Sequence, residues 1–189
     1  MNATIRPYDP ATDRGALWVL KRGFELGLGE GTGTDDKRER YAAKLDDAYR
    51  RDYLEWVERC QAKQSGVMAV VTVPLESPEA GALQSNQHPN AQNELVVDDQ
   101  AIVGYAFLLP ERLAYIWDAA VLNEIFVLPA ARGTGVADAL MDHVLEVARG
   151  QSLPLDRLVL DVDRKNERAR AFYDRYGFDH WGEIVARDL

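Results

Sequence analysis

The chain reads as one α/β domain built on a mixed β-sheet with helices on both faces. Three observations carry this. Apolar β-branched runs at 67–73, 101–109, 121–127 and 155–162 read as strands. Helical periodicity fills the stretches 11–28, 41–60 and 136–148. Strands and helices mix without strict alternation, which argues against a purely parallel doubly wound sheet.

Taken in order, Thr4 to Arg6 is a short first strand, and Ala11 to Leu28 is a helix with Leu17, Leu20, Phe24 and Leu28 on one face. The segment Gly27 to Asp36 holds four glycines and two threonines and is expected to be a mobile loop. One long helix is expected beyond it, with Tyr41, Leu45, Ala48, Tyr53, Trp56 and Cys60 along a core-facing stripe. Val67 to Val73 and Ala101 to Leu109 are strands. Between them, 74–93 reads as a surface insertion: it carries three prolines and few large apolar residues. Glu94 to Val97 then rejoins the sheet, and Asp98-Asp99-Gln100 makes a turn. Val121 to Val127 is a strand stopped by Pro129, and a glycine-containing loop leads into a helix with Val136, Leu140, Val144 and Val147 on its apolar face, ended by Gly150. Leu155 to Val162 is a strand, Asn166 to Tyr176 a helix, and the tail from Phe178 one or two further strands.

Composition bounds the function. The 189 residues, 47% hydrophobic and 28% charged, suit a single domain spanning 1–189. A net charge of −9 repels nucleic acid and anionic membrane, so neither is an expected partner. Met1 to Pro10 lacks the apolar segment of a secretory signal, and the longest apolar run, 101–110, is about half the ~20 residues of a membrane helix, so a cytoplasmic protein is expected. The single Cys60 excludes an internal disulfide and is expected to be a packed side chain. His88, His143 and His180 are scattered, so no metal is expected.

The chemistry concentrates where the 121–127 strand meets the next helix. The first turn of a helix exposes unpaired N–H groups and about half a positive charge, which together attract phosphate. Gly133, Gly135 and the small Ala137 clear space for a diphosphate to reach those amides, and Arg132 adds a cation. A Walker sequence and a dinucleotide fingerprint are both absent.

The run Arg132-Gly133-Thr134-Gly135-Val136-Ala137 resembles the [QR]-x-x-G-x-[GA] motif of the GNAT superfamily of acyl-CoA-dependent N-acyltransferases. The run from Asn166 through Ala169 and Tyr173 to Gly177-Phe178 is similar to that family's N-x-x-A-x-x-x-Y-x-x-x-G-F segment. The resemblance implies a mostly antiparallel sheet splayed in its middle, with acetyl-CoA as co-substrate and a small-molecule or peptide amine as acceptor. It further implies that the amides of Arg132, Gly133, Thr134, Gly135, Val136 and Ala137 hold the diphosphate, that the main chain of Phe126 and Val127 pairs with the pantetheine arm, and that Asn166 touches the cofactor. Tyr173 would protonate or hydrogen-bond the departing thiolate. Glu124, the lone carboxylate of its strand, is the candidate base, with water as the alternative and Asp118 and Glu25 as weaker candidates. The acceptor would enter under 27–36, against Trp18, Phe24 and Tyr41. A non-catalytic CoA-binding module on the same fold is the competing reading. Oligomeric state stays open, a homodimer among the alternatives.

Overall fold

The computed structural model describes residues 2–32, 35–83, 93–182 and 187. Its strands are β1 (Thr4–Pro7), β2 (Met68–Pro74), β3 (Val96–Val97), β4 (Gln100–Leu108), β5 (Ala120–Val127) and β6 (Leu158–Val159). They form one six-stranded sheet in the order β1-β2-β4-β5-β6, with β3 also paired to β4. Every pairing is antiparallel except β5 with β6. The helices are α1 (Arg14–Thr32), α2 (Asp35–Ala43), α3 (Asp47–Lys63), a single turn α4 (Glu111–Ala114), α5 (Val136–Arg149) and α6 (Glu167–Arg175). None of the described helices is long and apolar enough to cross a membrane.

The strand β4 is the spine of the core: residues 101 to 108 are all buried, because β2 and β5 flank it and helices cover both faces. Strand alternation turns Tyr105, Phe107, Glu124 and Phe126 toward α1 and α3, where Trp56 meets Phe107 edge-on at 4.9 Å. The amphipathic helix α5 packs on β4 and β5 with Val136, Leu140, Met141 and Val144 buried. Asp98 and Asp99 both take positive φ, 48° and 59°, which closes β3 onto β4 through a tight two-residue turn.

Several expectations need correction. The glycine-rich stretch is no loop through Thr32, since α1 runs on to that residue and α2 starts at Asp35; residues 33 and 34 lie outside the described ones. Glycine costs a helix only about 1 kcal/mol per residue, which weakens a helix without forbidding one. The expected long helix is two helices. Asp46 breaks it, its Oδ1 accepting from the Tyr49 N–H at 2.8 Å as the N-cap of α3. In 74–93, Pro78–Leu83 forms a 3-10 turn and Ala80 tucks into the core, while 84–92 lie outside the described residues. The strand expected over 155–162 shrinks to Leu158–Val159, and the tail forms no strand among the described residues up to Gly182. Cys60 is buried, and burial pushes its thiol up.

Candidate active site

Strands β5 and β6 pair only at Ala120 with Leu158 and Val121 with Val159, then separate. A bulge accompanies the separation: Phe107 faces Glu124 and Leu108 faces Leu122, leaving Asn123 as the extra residue that bends β5. Between the diverging chains opens a cleft of about 1160 Å³, with Leu122 to Val127 on one side and Leu160 to Lys165 on the other. Its ends are the glycine loop with α6, and the C-terminal half of α1 with Tyr41 of α2.

Ladder alternation fixes which main-chain groups face this gap. The Leu128 N–H donates to the Val103 carbonyl at 2.9 Å, so in the same register Phe126 and Glu124 turn their N–H and C=O groups to β4. Ile125 and Val127 turn theirs into the gap. This corrects the expectation for Phe126, which offers the cleft its ring, and adds Ile125, which the sequence alone did not single out. The Val127 carbonyl accepts from Arg132 Nε at 3.1 Å, and the Arg132 guanidinium lies 5.7 Å from the Phe126 ring centre. Burial, with Arg168 nearby, lowers the Arg132 pKa.

Gly133 and Gly135 take positive φ, 78° and 89°, a region closed to most side chains, and Gly135 opens α5 as its N-cap. The Thr134 hydroxyl donates to the Ala131 carbonyl at 2.7 Å, and the Val136 side chain is fully buried, so both residues offer the cleft only their amides. Among the described residues, none accepts a hydrogen bond from the N–H groups of Gly133 through Asp138. Gly133, Gly135, Ala137 and Asp138 line the cleft directly.

Helix α6 forms the facing wall. Asn166 caps it, its Oδ1 accepting from the Ala169 N–H at 3.1 Å, and it lines the cleft together with Tyr173. The motif's glycine and phenylalanine have a physical meaning here. Gly177 takes φ 77°, and the Phe178 N–H donates to the Tyr173 carbonyl at 3.2 Å, which closes the helix as a Schellman motif. The Phe178 ring meets the Tyr173 ring edge-on at 5.5 Å, so the same turn orients Tyr173. Burial pushes the Tyr173 phenol up to about 12. Tyr176 and Arg175 bind Asp138 at 3.1 and 3.0 Å, tying α6 to the first turn of α5.

Glu124 lines the cleft from β5 and is not a solvent-facing rim residue. It is 5% exposed and its carboxylate is surrounded by donors: Lys21 at 2.7 Å and Asn123 at 3.0 Å on Oε1, Tyr53 at 2.9 Å and Tyr105 at 2.6 Å on Oε2. Lys21 Nζ also reaches Glu25 Oε1 at 2.6 Å, and Lys44 reaches Glu25 Oε2 at 2.7 Å. Burial opposes the charge on Lys21, but Glu124 and Glu25 outweigh it and raise its pKa. Burial likewise opposes the charge on Glu25, and its two lysines overcome it and lower the pKa. Burial, with Glu124 beside them, pushes the Tyr53 and Tyr105 phenols well up. The sequence held a signal for this network in Lys21, a lysine between Leu20 and Phe24 on an apolar helix face.

Of the expected acceptor wall, Phe24 and Tyr41 line the cleft, whereas Trp18 is buried against Tyr49. Asp118 lies in the turn before β5, where its carbonyl accepts from the Leu155 N–H, and does not line the cleft. His180 lines it, His143 binds the Gly66 carbonyl at 3.0 Å, and His88 lies outside the described residues. No group of potential metal ligands is found among the described residues.

This sheet, parted between a central strand and its parallel neighbour beside a helix N-terminus, is the fold of acetyltransferases of known structure. The chain is similar to the PaiA N-acetyltransferase of Thermoplasma acidophilum in complex with coenzyme A, with TM-score 0.65 and 16% identity, covering 95% of this chain and 91% of that one. It is also similar to AAC(6')-Iy in complex with the bisubstrate analog CoA-S-monomethyl-acetylneamine, with TM-score 0.57 and 16% identity over 100% of this chain and 99% of that one. The Acetyltransferase (GNAT) family matches residues 42–178, and the chain belongs to that family. A 5-NmdU N-acetyltransferase of Pseudomonas phage PaMx11 is 43% identical over 65 residues, 34% of this chain and 43% of that protein, so the match spans less than half of that relative.

Proposed function

We propose that this protein is an N-acetyltransferase that passes the acetyl group of acetyl-CoA to a primary amine by direct attack. The observation that carries the reading is the row of unpartnered amides from Gly133 to Asp138 at the mouth of the parted strands, a cradle for a diphosphate. Gly133, Thr134, Gly135, Val136 and Ala137 would hold it through their main-chain amides. The expected Arg132 amide is not available, because its N–H already donates to the Pro129 carbonyl at 3.2 Å, so Arg132 would contribute its guanidinium alone. The outward main chain of Ile125 and Val127 would pair with the pantetheine arm, bringing the thioester between β5 and Tyr173, and a main-chain N–H there would stabilise the oxyanion. Asn166 would contact the cofactor from the opposite wall.

The amine nitrogen attacks the thioester carbon, the C–S bond breaks, and the sulfur leaves as thiolate. Because the Tyr173 phenol sits near 12, handing its proton outright to a thiolate of pKa ~8.5 would cost about 5 kcal/mol. Tyr173 therefore acts as a hydrogen-bond donor to the developing thiolate, and the proton that finally neutralises the sulfur comes from solvent. Since four donors occupy Glu124, the proton lost by the amine passes to water, and Glu124 holds the floor of the site in place. The test is thiol release from acetyl-CoA across a panel of amines, alongside calorimetry of acetyl-CoA binding. Release with some amine sustains the reading; tight binding without release from any amine leaves a CoA-binding module.

A further inference from the structure

We propose, resting on the reading above, that the acceptor is an amine with a single cationic group and an apolar or aromatic body, and that Lys44 sets this preference by occupying the place where a second ammonium would bind. At the acceptor end of the cleft, the described side chains of Phe24, Leu28, Tyr41 and Phe126 offer apolar and aromatic surface. Two described carboxylates of this floor and the α1–α2 wall, Glu124, which lines the cleft, and Glu25, are already neutralised. Lys21 bridges the two at 2.7 and 2.6 Å, and Lys44 takes the other oxygen of Glu25 at 2.7 Å. Two cations therefore balance two anions within one connected cluster. The remaining carboxylates of the cleft lie elsewhere: Asp138 is bound by Arg175 and Tyr176 at the glycine-loop end, while Asp161 and Asp163 stand on the opposite side, Asp161 exposed to solvent.

Lys44 makes the arrangement specific. Its ammonium sits 4.5 Å from the Tyr41 ring centre and 5.4 Å from that of Tyr49, with the Glu25 carboxylate beneath it. A carboxylate with two tyrosine faces is what an alkylammonium seeks. Here a side chain of the protein fills that place, and Tyr41 is shared between the filled cage and the cleft. An acceptor bearing a second ammonium would have to displace Lys44 or desolvate its charge without a counter-ion, and both are unfavourable. The net charge of −9 would suggest the opposite preference, but long-range charge does not decide a subsite whose described carboxylates, Glu124 and Glu25, are paired.

The experiment compares kcat/KM for phenethylamine and 1,5-diaminopentane, with spermidine as a polycation, in the full chain and in Lys44→Ala, Lys44→Gln and Lys44→Arg. The wild type is expected to favour phenethylamine at least about tenfold, each tenfold being about 1.4 kcal/mol. Lys44→Ala and Lys44→Gln are expected to raise the diamine-to-monoamine ratio about tenfold, while Lys44→Arg, which keeps the cation, holds the wild-type ratio. A wild type that prefers the diamine or spermidine overturns the proposal by itself and leaves acetyl transfer standing. An unmoved ratio in a folded Lys44→Ala or Lys44→Gln protein removes the role of Lys44. Absence of thiol release with every amine removes the transferase reading, and this proposal with it.

Discussion

Gly135 and Tyr173 both line the cleft, and the roles proposed for them separate in measurement. At φ 89° a β-branched side chain is strained, and it would crowd the amides that open α5, so Gly135→Val should weaken acetyl-CoA binding by tenfold or more in calorimetry. Unchanged affinity would remove the diphosphate cradle. Tyr173→Phe deletes only the hydroxyl and keeps the ring against Phe172 and Phe178, so kcat should fall by about 10- to 100-fold with the acetyl-CoA KM little changed. Full activity would contradict the thiolate contact. Glu124→Gln should lose stability, since three of its donors come from other elements, and should keep the wild-type shape of the pH–rate profile. Rate that recovers at high pH would instead assign Glu124 as the base. The motif residues were legible because their chemistry is local: glycine at positive φ, small residues beside amides, asparagine at a cap. Ile125 was not legible, because which way a strand residue turns its amide depends on its register with β4.

At the scale of elements, Lys21 joins α1 to β5 across 103 residues of sequence through Glu124. Removing one partner of a buried pair leaves a charge uncompensated, so Lys21→Met should cost about 3–5 kcal/mol in denaturant unfolding. The pKa shifts give the window of this contribution. Glu25 is lowered from its ordinary 4.5, so its share is present above that value and lost as pH falls through the folded one. Lys21 is raised from 10.5, so its share is present below that value and lost as pH rises past it. The gap between wild type and Lys21→Met should accordingly be widest between about pH 5 and 10; a gap independent of pH would refute the ionic account. Helix existence was readable from periodicity, yet the break between α2 and α3 was not, because Asp46 caps only where the chain can turn. The glycines of α1 misled in the other direction. Their weak propensity costs a helix only about 1 kcal/mol each and does not forbid it.

For the molecule as a whole, alkaline pH tests the burial of the phenols. Tyr173 and Tyr176 are each pushed up to about 12, so the folded state favours their neutral form. Their stabilisation is complete below about pH 10 and is lost as pH rises toward 12. The midpoint of thermal unfolding should fall over that interval, and Tyr173→Phe should blunt the fall; an equal fall in both proteins would count against a buried phenol. By the same sign, no step in kcat between pH 7 and 9 should vanish in Tyr173→Phe. The sequence by itself determined the family motifs, the strand-loop-helix cradle and the order of most elements, because these follow from local propensity, periodicity and backbone sterics. Only the tertiary structure decided that β6 parts from β5 after two residues, that Ile125 and Val127 face the gap, and that Lys21 and Lys44 pair with Glu124 and Glu25. Each of those depends on register or on contacts between residues far apart in the chain, which no local pattern encodes.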